Sequence, residues 1–190
     1  MDLHMARLMK SANHFSFRCD IDNIRRVLQD HSSSFNPSLK YKTRLVVGFS
    51  GNTDIRSQKI VPDTNSLLRI TFSQKKTDRH DSFLSHKTTR RELYDMELAS
   101  YREKGYFDIL FTNKEDEVTE GAITNIIIQK DGRYLTPPLS SGVLPGTYRE
   151  YLIKSGEIPL EESILLREDI LRAEKVFLIN SVIKLREACF

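Results

Sequence analysis

The chain predicts a mixed α/β protein of the α+β kind, divided into two domains. Three observations point there. Apolar residues recur at helical spacing over residues 3–14 and again after Asp20, and three short β-branched runs follow at residues 44–72. A polar stretch at residues 74–86 interrupts the pattern, after which helical and strand-like segments alternate to the C-terminus. At 190 residues the chain is long enough to bury a substantial core as one large or two small domains.

Leu3, Leu8, Met9 and Ala12 form the inward stripe of the first helix, and Asp20-Ile21-Asp22 offers an N-cap for a second through about Gln29. A turn-rich loop at His31–Pro37 leads to strands at Arg44–Phe49, Ile55–Val61 and Leu67–Phe72. These elements form the expected small domain, residues 1–79, with residues 74–86 as linker. The larger domain, residues 80–190, opens with Phe83-Leu84, read as a strand, and a helix from about Thr89 to Lys104. Strands are expected at Phe107–Phe111, Glu117–Thr119, Thr124–Gln129 and Arg133–Leu135, the last two joined by a Lys130-Asp131-Gly132 turn. A helix over Thr147–Lys154 ends near Gly156, a fitting C-terminal cap. Strands at Ser163–Leu166, Val176–Ile179 and Val182–Glu187 complete the chain, with a short helix near Asp169–Ala173.

Composition narrows the function classes. Hydrophobic content of 39% and charged content of 29% are ordinary for a globular protein. No run approaches the roughly 20 apolar residues of a membrane helix, and the first residues lack the apolar core of a signal peptide, so a cytoplasmic location is expected. Cys19 and Cys189 are far apart, and no His/Cys cluster has zinc spacing, so neither a disulfide nor a metal is expected. The net charge of +3 divides into +7 for residues 1–95 and −4 for residues 96–190. A basic N-terminal half suits a phosphate or polycarboxylate ligand, and it reads equally as a solvated surface. Nucleic acid is not an expected partner, because no basic run is interleaved with stacking aromatics. A small-molecule substrate is.

Three stretches carry chemistry. Lys87 lies in His86-Lys87-Thr88-Thr89-Arg90-Arg91, behind the apolar Phe83-Leu84. Neighbouring Arg90 and Arg91 would lower the lysine's proton affinity, as nucleophilic amine chemistry requires. Glu120 lies in Thr119-Glu120-Gly121-Ala122-Ile123-Thr124-Asn125, whose glycine allows close backbone approach, with Asn125 supporting the loop. Gly146-Thr147-Tyr148 opens a helix directly after Leu144-Pro145, presenting N–H groups suited to a phosphate dianion. Singly, these read as an exposed lysine, an exposed acid and an ordinary helix start. In combination, a lysine, a later acid and a turn opening a helix are the parts a pyridoxal phosphate site needs. The lysine forms the Schiff base, the acid holds the pyridine nitrogen protonated, and the helix start receives the phosphate.

In this order and wording the stretches resemble the fold-type IV pyridoxal phosphate enzymes, the class IV aminotransferases and aminodeoxychorismate lyases. The resemblance runs from His4 to Glu187 and is densest from Phe83 to Arg149. It implies a two-domain, D-amino acid aminotransferase-like fold, a pyridoxal 5′-phosphate cofactor between the domains, and a homodimer. It implies catalytic roles for Lys87 and Glu120. His4-x-x-Arg7-Leu8 looks like the family helix whose arginine clamps the cofactor phosphate, which makes Arg7, with Gly146, Thr147, Tyr148 and Ser181, the phosphate set. Arg90 and Arg186 are candidates for the substrate carboxylate. Asp78–Arg91, Phe107–Phe111 and Leu178–Ser181 with Arg186-Glu187 look most like the lyase domain fused to aminodeoxychorismate synthase. The implied reaction is release of pyruvate from 4-amino-4-deoxychorismate, leaving 4-aminobenzoate for folate synthesis, with a functional link to the synthase. A transaminase of the D-amino acid or branched-chain type, or a catalytically silent module, are the alternatives. The resemblance departs at the front, where family members carry a leading β-hairpin that this chain lacks before His4. A truncated or misassigned start, a reduced member and a domain cut from a fusion are the readings open.

Overall fold

The fold is that of a computed structural model, which describes residues 1–61 and 67–190. The chain separates into two compact units, Met1–Thr64 and Asn65–Phe190.

In the first unit, helices α1 (Asp2–His14) and α2 (Ile21–Ser33) join a hairpin of β1 (Tyr41–Val47) and β2 (Thr53–Lys59). Met5, Ile24 and Leu28 make its buried core, packed against Leu45, Val47 and Ile55 of the hairpin. The Asp20 carboxylate accepts the Asn23 N–H at 3.0 Å, the cap expected at the start of α2. Arg7 sits half-buried on α1.

The second unit is built on eight strands in the order β5-β4-β3-β10-β9-β6-β7-β8. They are β3 (Leu68–Thr77), β4 (Asp108–Asn113), β5 (Val118–Gly121), β6 (Asn125–Lys130), β7 (Arg133–Thr136), β8 (Leu160–Glu162), β9 (Lys175–Asn180) and β10 (Lys184–Cys189). β3 runs parallel to both β4 and β10, β7 runs parallel to β8, and the remaining pairs are antiparallel. α3 (Glu92–Arg102) packs on β4, and α4 (Thr147–Ser155) packs on β9. α5 (Arg167–Leu171) seals the sheet end with Ile170. Alternation along β6 and β9 sends Ile126, Ile128, Val176 and Leu178 to one core and Ile127, Phe177 and Ile179 to the other, against Leu152 of α4. Both faces of these central strands are covered, which is why they read as continuous apolar runs.

Several expected boundaries move, each for a physical reason. The two units divide at residues 64/65 rather than 79/80, because β3 belongs to the larger sheet. β3 also continues through residues 74–77 of the expected linker, since Ser73 and Thr77 are buried polar residues that break the apolar alternation. Phe83-Leu84 lies in a 3-10 turn (Ser82–Ser85) rather than a strand, closed by Asp81 accepting the Phe83 N–H at 2.9 Å. α3 starts at Glu92, three residues after the expected Thr89, because Thr88 Oγ1 takes the Arg90 N–H in a local turn. Residues 163–166 form no strand, and Leu165 instead accepts the Val118 N–H through its carbonyl at 2.7 Å. β10 begins at Lys184 because the Asn180 side chain accepts the N–H groups of Val182 and Ile183 at 2.8 and 2.9 Å, holding them in a turn.

Candidate active site

The loops at one end of the larger sheet converge on Glu120. β5 delivers it from the strand that pairs with β4, and its residue is 7% exposed. The Asn125 side-chain amide donates to Glu120 Oε2 at 3.0 Å and to the Leu144 carbonyl at 3.1 Å. The Leu144 N–H also donates to the Glu120 carboxylate. Burial raises the Glu120 pKa to about 8, opposed by the Leu144 hydrogen bond and by the charges of Lys87 and Arg91. A carboxylate so far from water favours its proton at neutral pH unless a cation is brought to it.

Glu120 and Lys87 face one cavity of about 230 Å³, whose lining also includes Arg90, Arg91, Tyr94 and Leu144. Lys87 stands in the extended segment between the 3-10 turn and α3, just after the buried His86. Arg91 Nη2 donates to the Ala122 carbonyl at 2.6 Å and its Nε to Asp95 at 3.1 Å, which ties the lysine segment to the turn after Glu120. Tyr94 lies under Arg91, 5.4 Å from guanidinium to ring centre, and its hydroxyl is buried beside Glu120. Burial first, then the Glu120 charge, push the Tyr94 pKa well upward, so it stays a neutral phenol.

The α4 start completes the group. Gly146 is its N-cap and contributes no side chain. A Cβ on Gly146 would lie 1.8 Å from Asn125 Oδ1, so only glycine lets the helix start approach the amide that holds Glu120. Thr147 Oγ1 and Ser181 Oγ are 2.8 Å apart, so two residues separated by 34 positions meet where the first-turn N–H groups of α4 emerge. Tyr148 is placed differently. Its ring stacks on Tyr151 at 5.8 Å and lies under Lys184 at 4.8 Å, leaving its backbone N–H as its contribution. Arg186 pairs with Leu178 in the β9–β10 ladder and is not among the residues lining the cavity.

Two residues that sequence reasoning passed over organise the site. Asp108, fully buried, accepts the Ile109 N–H at 2.9 Å, the Ile123 N–H at 3.3 Å and the Thr124 hydroxyl at 2.7 Å. Burial raises its pKa to about 6, against those hydrogen bonds. Gly121 has no room for a Cβ, which would fall 2.4 Å from Asp108 Oδ2. The Asn180 amide donates to the Ile123 carbonyl at 3.1 Å, linking the Ser181 turn to the same loop. A lone acid opening an apolar strand, and the Asn beside Ser181, were the signals available in the sequence.

The family profile described as Amino-transferase class IV matches residues 1–189. The chain belongs to the class IV aminotransferase family. A Thermotoga maritima relative named "Probable branched-chain-amino-acid aminotransferase" is 26% identical over 94% of this chain and 67% of its own length. The aminodeoxychorismate lyase of Saccharomyces cerevisiae is 36% identical over 53% of this chain and 31% of its own length, so the match spans under a third of that relative. A Mesorhizobium loti structure titled "Putative amino-acid aminotransferase" superposes with a TM-score of 0.91 at 32% identity, covering 99% of this chain and 90% of that one.

The family is pyridoxal phosphate-dependent, and a Mycobacterium tuberculosis structure of the same fold is known in its PLP-bound form. Pyridoxal 5′-phosphate is therefore the cofactor of this protein, and its residues fit the group. Glu120 is a buried carboxylate in the wall of the cavity, suited to hold a protonated pyridine nitrogen. The Thr147–Ser181 hydroxyl pair at a helix start without a side-chain cap suits a phosphate. Among the described residues, no helix is long and apolar enough to cross a membrane.

Proposed function

We propose that this protein is a pyridoxal phosphate-dependent 4-amino-4-deoxychorismate lyase, releasing pyruvate and forming 4-aminobenzoate for folate synthesis. The observation that carries the reading is that Lys87 and the buried Glu120 face a single cavity, with the lysine's charge acting on the carboxylate. When bound, the cofactor supplies an electron sink for the carbon that bears the substrate amine. Glu120, held by Asn125 and Leu144, would accept the N–H of the cofactor's ring nitrogen and keep it protonated. With the cofactor bound, Lys87 Nζ would be placed to take the proton from the amine-bearing carbon of the substrate, a general-base step worth roughly 10²–10⁴-fold. The electron pair so released would break the neighbouring C–O bond and leave an aromatic ring, and the departing enolpyruvate takes up a proton at its methylene carbon to become pyruvate. Thr147, Ser181 and the first N–H groups of α4 would hold the phosphate, and the family resemblance adds Arg7 as its clamp.

The lyase reading draws on the motif from Lys87 to Asp95 and on the 36% identity to the yeast lyase. A transaminase using the same residues is the second reading. It is favoured by the aminotransferase-named relatives that match nearly the whole chain. The reading also includes a cytoplasmic homodimer supplied by an aminodeoxychorismate synthase, and light scattering should then give about twice the 22.0 kDa chain mass.

The deciding experiment offers the purified holoenzyme aminodeoxychorismate, and in parallel D- and L-amino acids with a keto acid acceptor. Stoichiometric pyruvate and 4-aminobenzoate from the first supports the lyase. Amine transfer without pyruvate release replaces it with the transaminase.

A further inference from the structure

We infer that Tyr94 is a positioning residue for Glu120, its buried hydroxyl donating to the carboxylate and holding it in the ionised form that faces the pyridine nitrogen. The inference rests on the reading of Glu120 as the carboxylate opposite that nitrogen, and adds the group that fixes its proton.

Tyr94 lies in the first turn of α3. Its ring meets Phe111 of β4 edge-on at 4.7 Å and packs against the cluster of Leu98, Ile109, Phe111 and Ala122. Ala122 is two residues past Glu120, so the ring wedges between α3 and the turn that follows the carboxylate. The Arg91 guanidinium lies 5.4 Å from the ring centre and is itself held by Asp95 and by the Ala122 carbonyl. A ring fixed by an aromatic edge, a cation and an apolar cluster has little freedom to swing its hydroxyl elsewhere.

That hydroxyl is buried, and among the described residues no group accepts from it at full hydrogen-bonding geometry. Glu120 shares the cavity wall with Tyr94, and its charge acts on the phenol more strongly than that of Asp81. A buried donor left unpaired is costly, so the phenol has reason to favour whichever state of Glu120 accepts from it. An ionised carboxylate offers about four acceptor positions. The Asn125 amide, at 3.0 Å, and the Leu144 N–H occupy two of them. A pyridine N–H would take a third, and the phenol fits the fourth. A protonated Glu120 spends one position on its own proton, so the full set of donors is satisfied by the charged form. Lys87 and Arg91 also favour that form through their charges, and Asp108 opposes it. Lys87 is assigned to amine chemistry and Arg91 is held by Asp95 and Ala122, which leaves the phenol as the donor for Glu120.

The test compares wild type with Tyr94→Phe, which keeps the ring packing and removes the donor. In the cofactor-free protein, difference infrared spectroscopy follows the Glu120 carboxyl band, identified by its absence in Glu120→Gln. Loss of the donor destabilises the charged carboxylate, so the Glu120 midpoint should rise by about one pH unit in Tyr94→Phe. In the holoenzyme, carrying pyridoxal 5′-phosphate labelled with nitrogen-15 in the ring, the ring-nitrogen resonance should move toward its unprotonated position. Tyr94→Phe added to Glu120→Gln should shift that resonance no further than Glu120→Gln alone. Tyr101→Phe, a hydroxyl lost from the same cluster, should move neither signal. A residue that serves packing alone would leave both signals in place, and an unmoved midpoint or an unmoved resonance in Tyr94→Phe would overturn the assignment. A wild type that holds no cofactor sinks the proposed function, and the Glu120 midpoint in the cofactor-free protein then decides the role of Tyr94 by itself.

Discussion

Asn125 and Gly146 are in contact so close that neither position is independent of the other. The Asn125 amide holds the Glu120 carboxylate and the Leu144 carbonyl, and its Oδ1 fills the space a Cβ on Gly146 would need. Gly146→Ala should push the amide off Glu120 and lower cofactor affinity about tenfold, measured by equilibrium titration. Asn125→Ala removes the obstruction, so the double variant should bind better than the two single losses multiplied together. Strict additivity would show that the contact does not govern the site.

The burial of Glu120 has a consequence for stability in the cofactor-free protein. Its folded pKa of about 8 exceeds the usual 4.5, so the folded state binds the extra proton between those values. Stability from this group is full below pH 4.5 and is lost as pH rises through about 8. Asp108, raised to about 6 from 3.8, acts in the same direction at lower pH. Between pH 6 and 8.5 the cofactor-free wild type should therefore lose on the order of 5 °C in Tm that Glu120→Gln does not lose. Parallel curves for the two proteins would place Glu120 in water. The same variant with cofactor bound should retain it yet lose most turnover.

Asp108 holds the loop from below. Asp108→Asn would set an amide donor against the Ile123 N–H and the Thr124 hydroxyl, costing about 2–4 kcal/mol. Thr124→Val removes one donor and should cost about 1–2 kcal/mol. Denaturant melts check both, and a neutral Asp108→Asn would mean that the loop does not depend on this carboxylate.

How far the sequence revealed this site depended on where each residue stood. Lys87, Glu120 and Gly146 each lie in a local pattern whose neighbours restrict its use, and the structure brings the first two to one cavity and the third against Asn125. Asp108 lies in no such pattern, since it opens an apolar strand and its partners lie 15 and 16 residues away. β3 was cut short for a related reason. Ser73 and Thr77 are polar but buried, Ser73 donating to Glu97 at 2.6 Å, so tertiary hydrogen bonds overrode the alternation that marks a strand. Tyr148 was legible as a helix-start residue, but nothing local told that its ring would pack on Tyr151 and under Lys184.

The Thr147–Ser181 pair makes the phosphate assignment testable apart from catalysis. Ser181→Ala and Thr147→Val should each weaken pyridoxal 5′-phosphate binding about tenfold, the loss of a hydrogen bond to a charged group. Binding of pyridoxal, which lacks the phosphate, should be unchanged. Equal losses for both compounds would move the phosphate elsewhere.

The account turns on Lys87 as the amine that joins the cofactor, and borohydride reduction of the holoenzyme followed by peptide mapping tests it most directly. The label should fall on the peptide containing Lys87 and vanish in Lys87→Ala, while Lys76→Ala labels as wild type does. A label on another lysine, or none at saturating cofactor, would contradict the account.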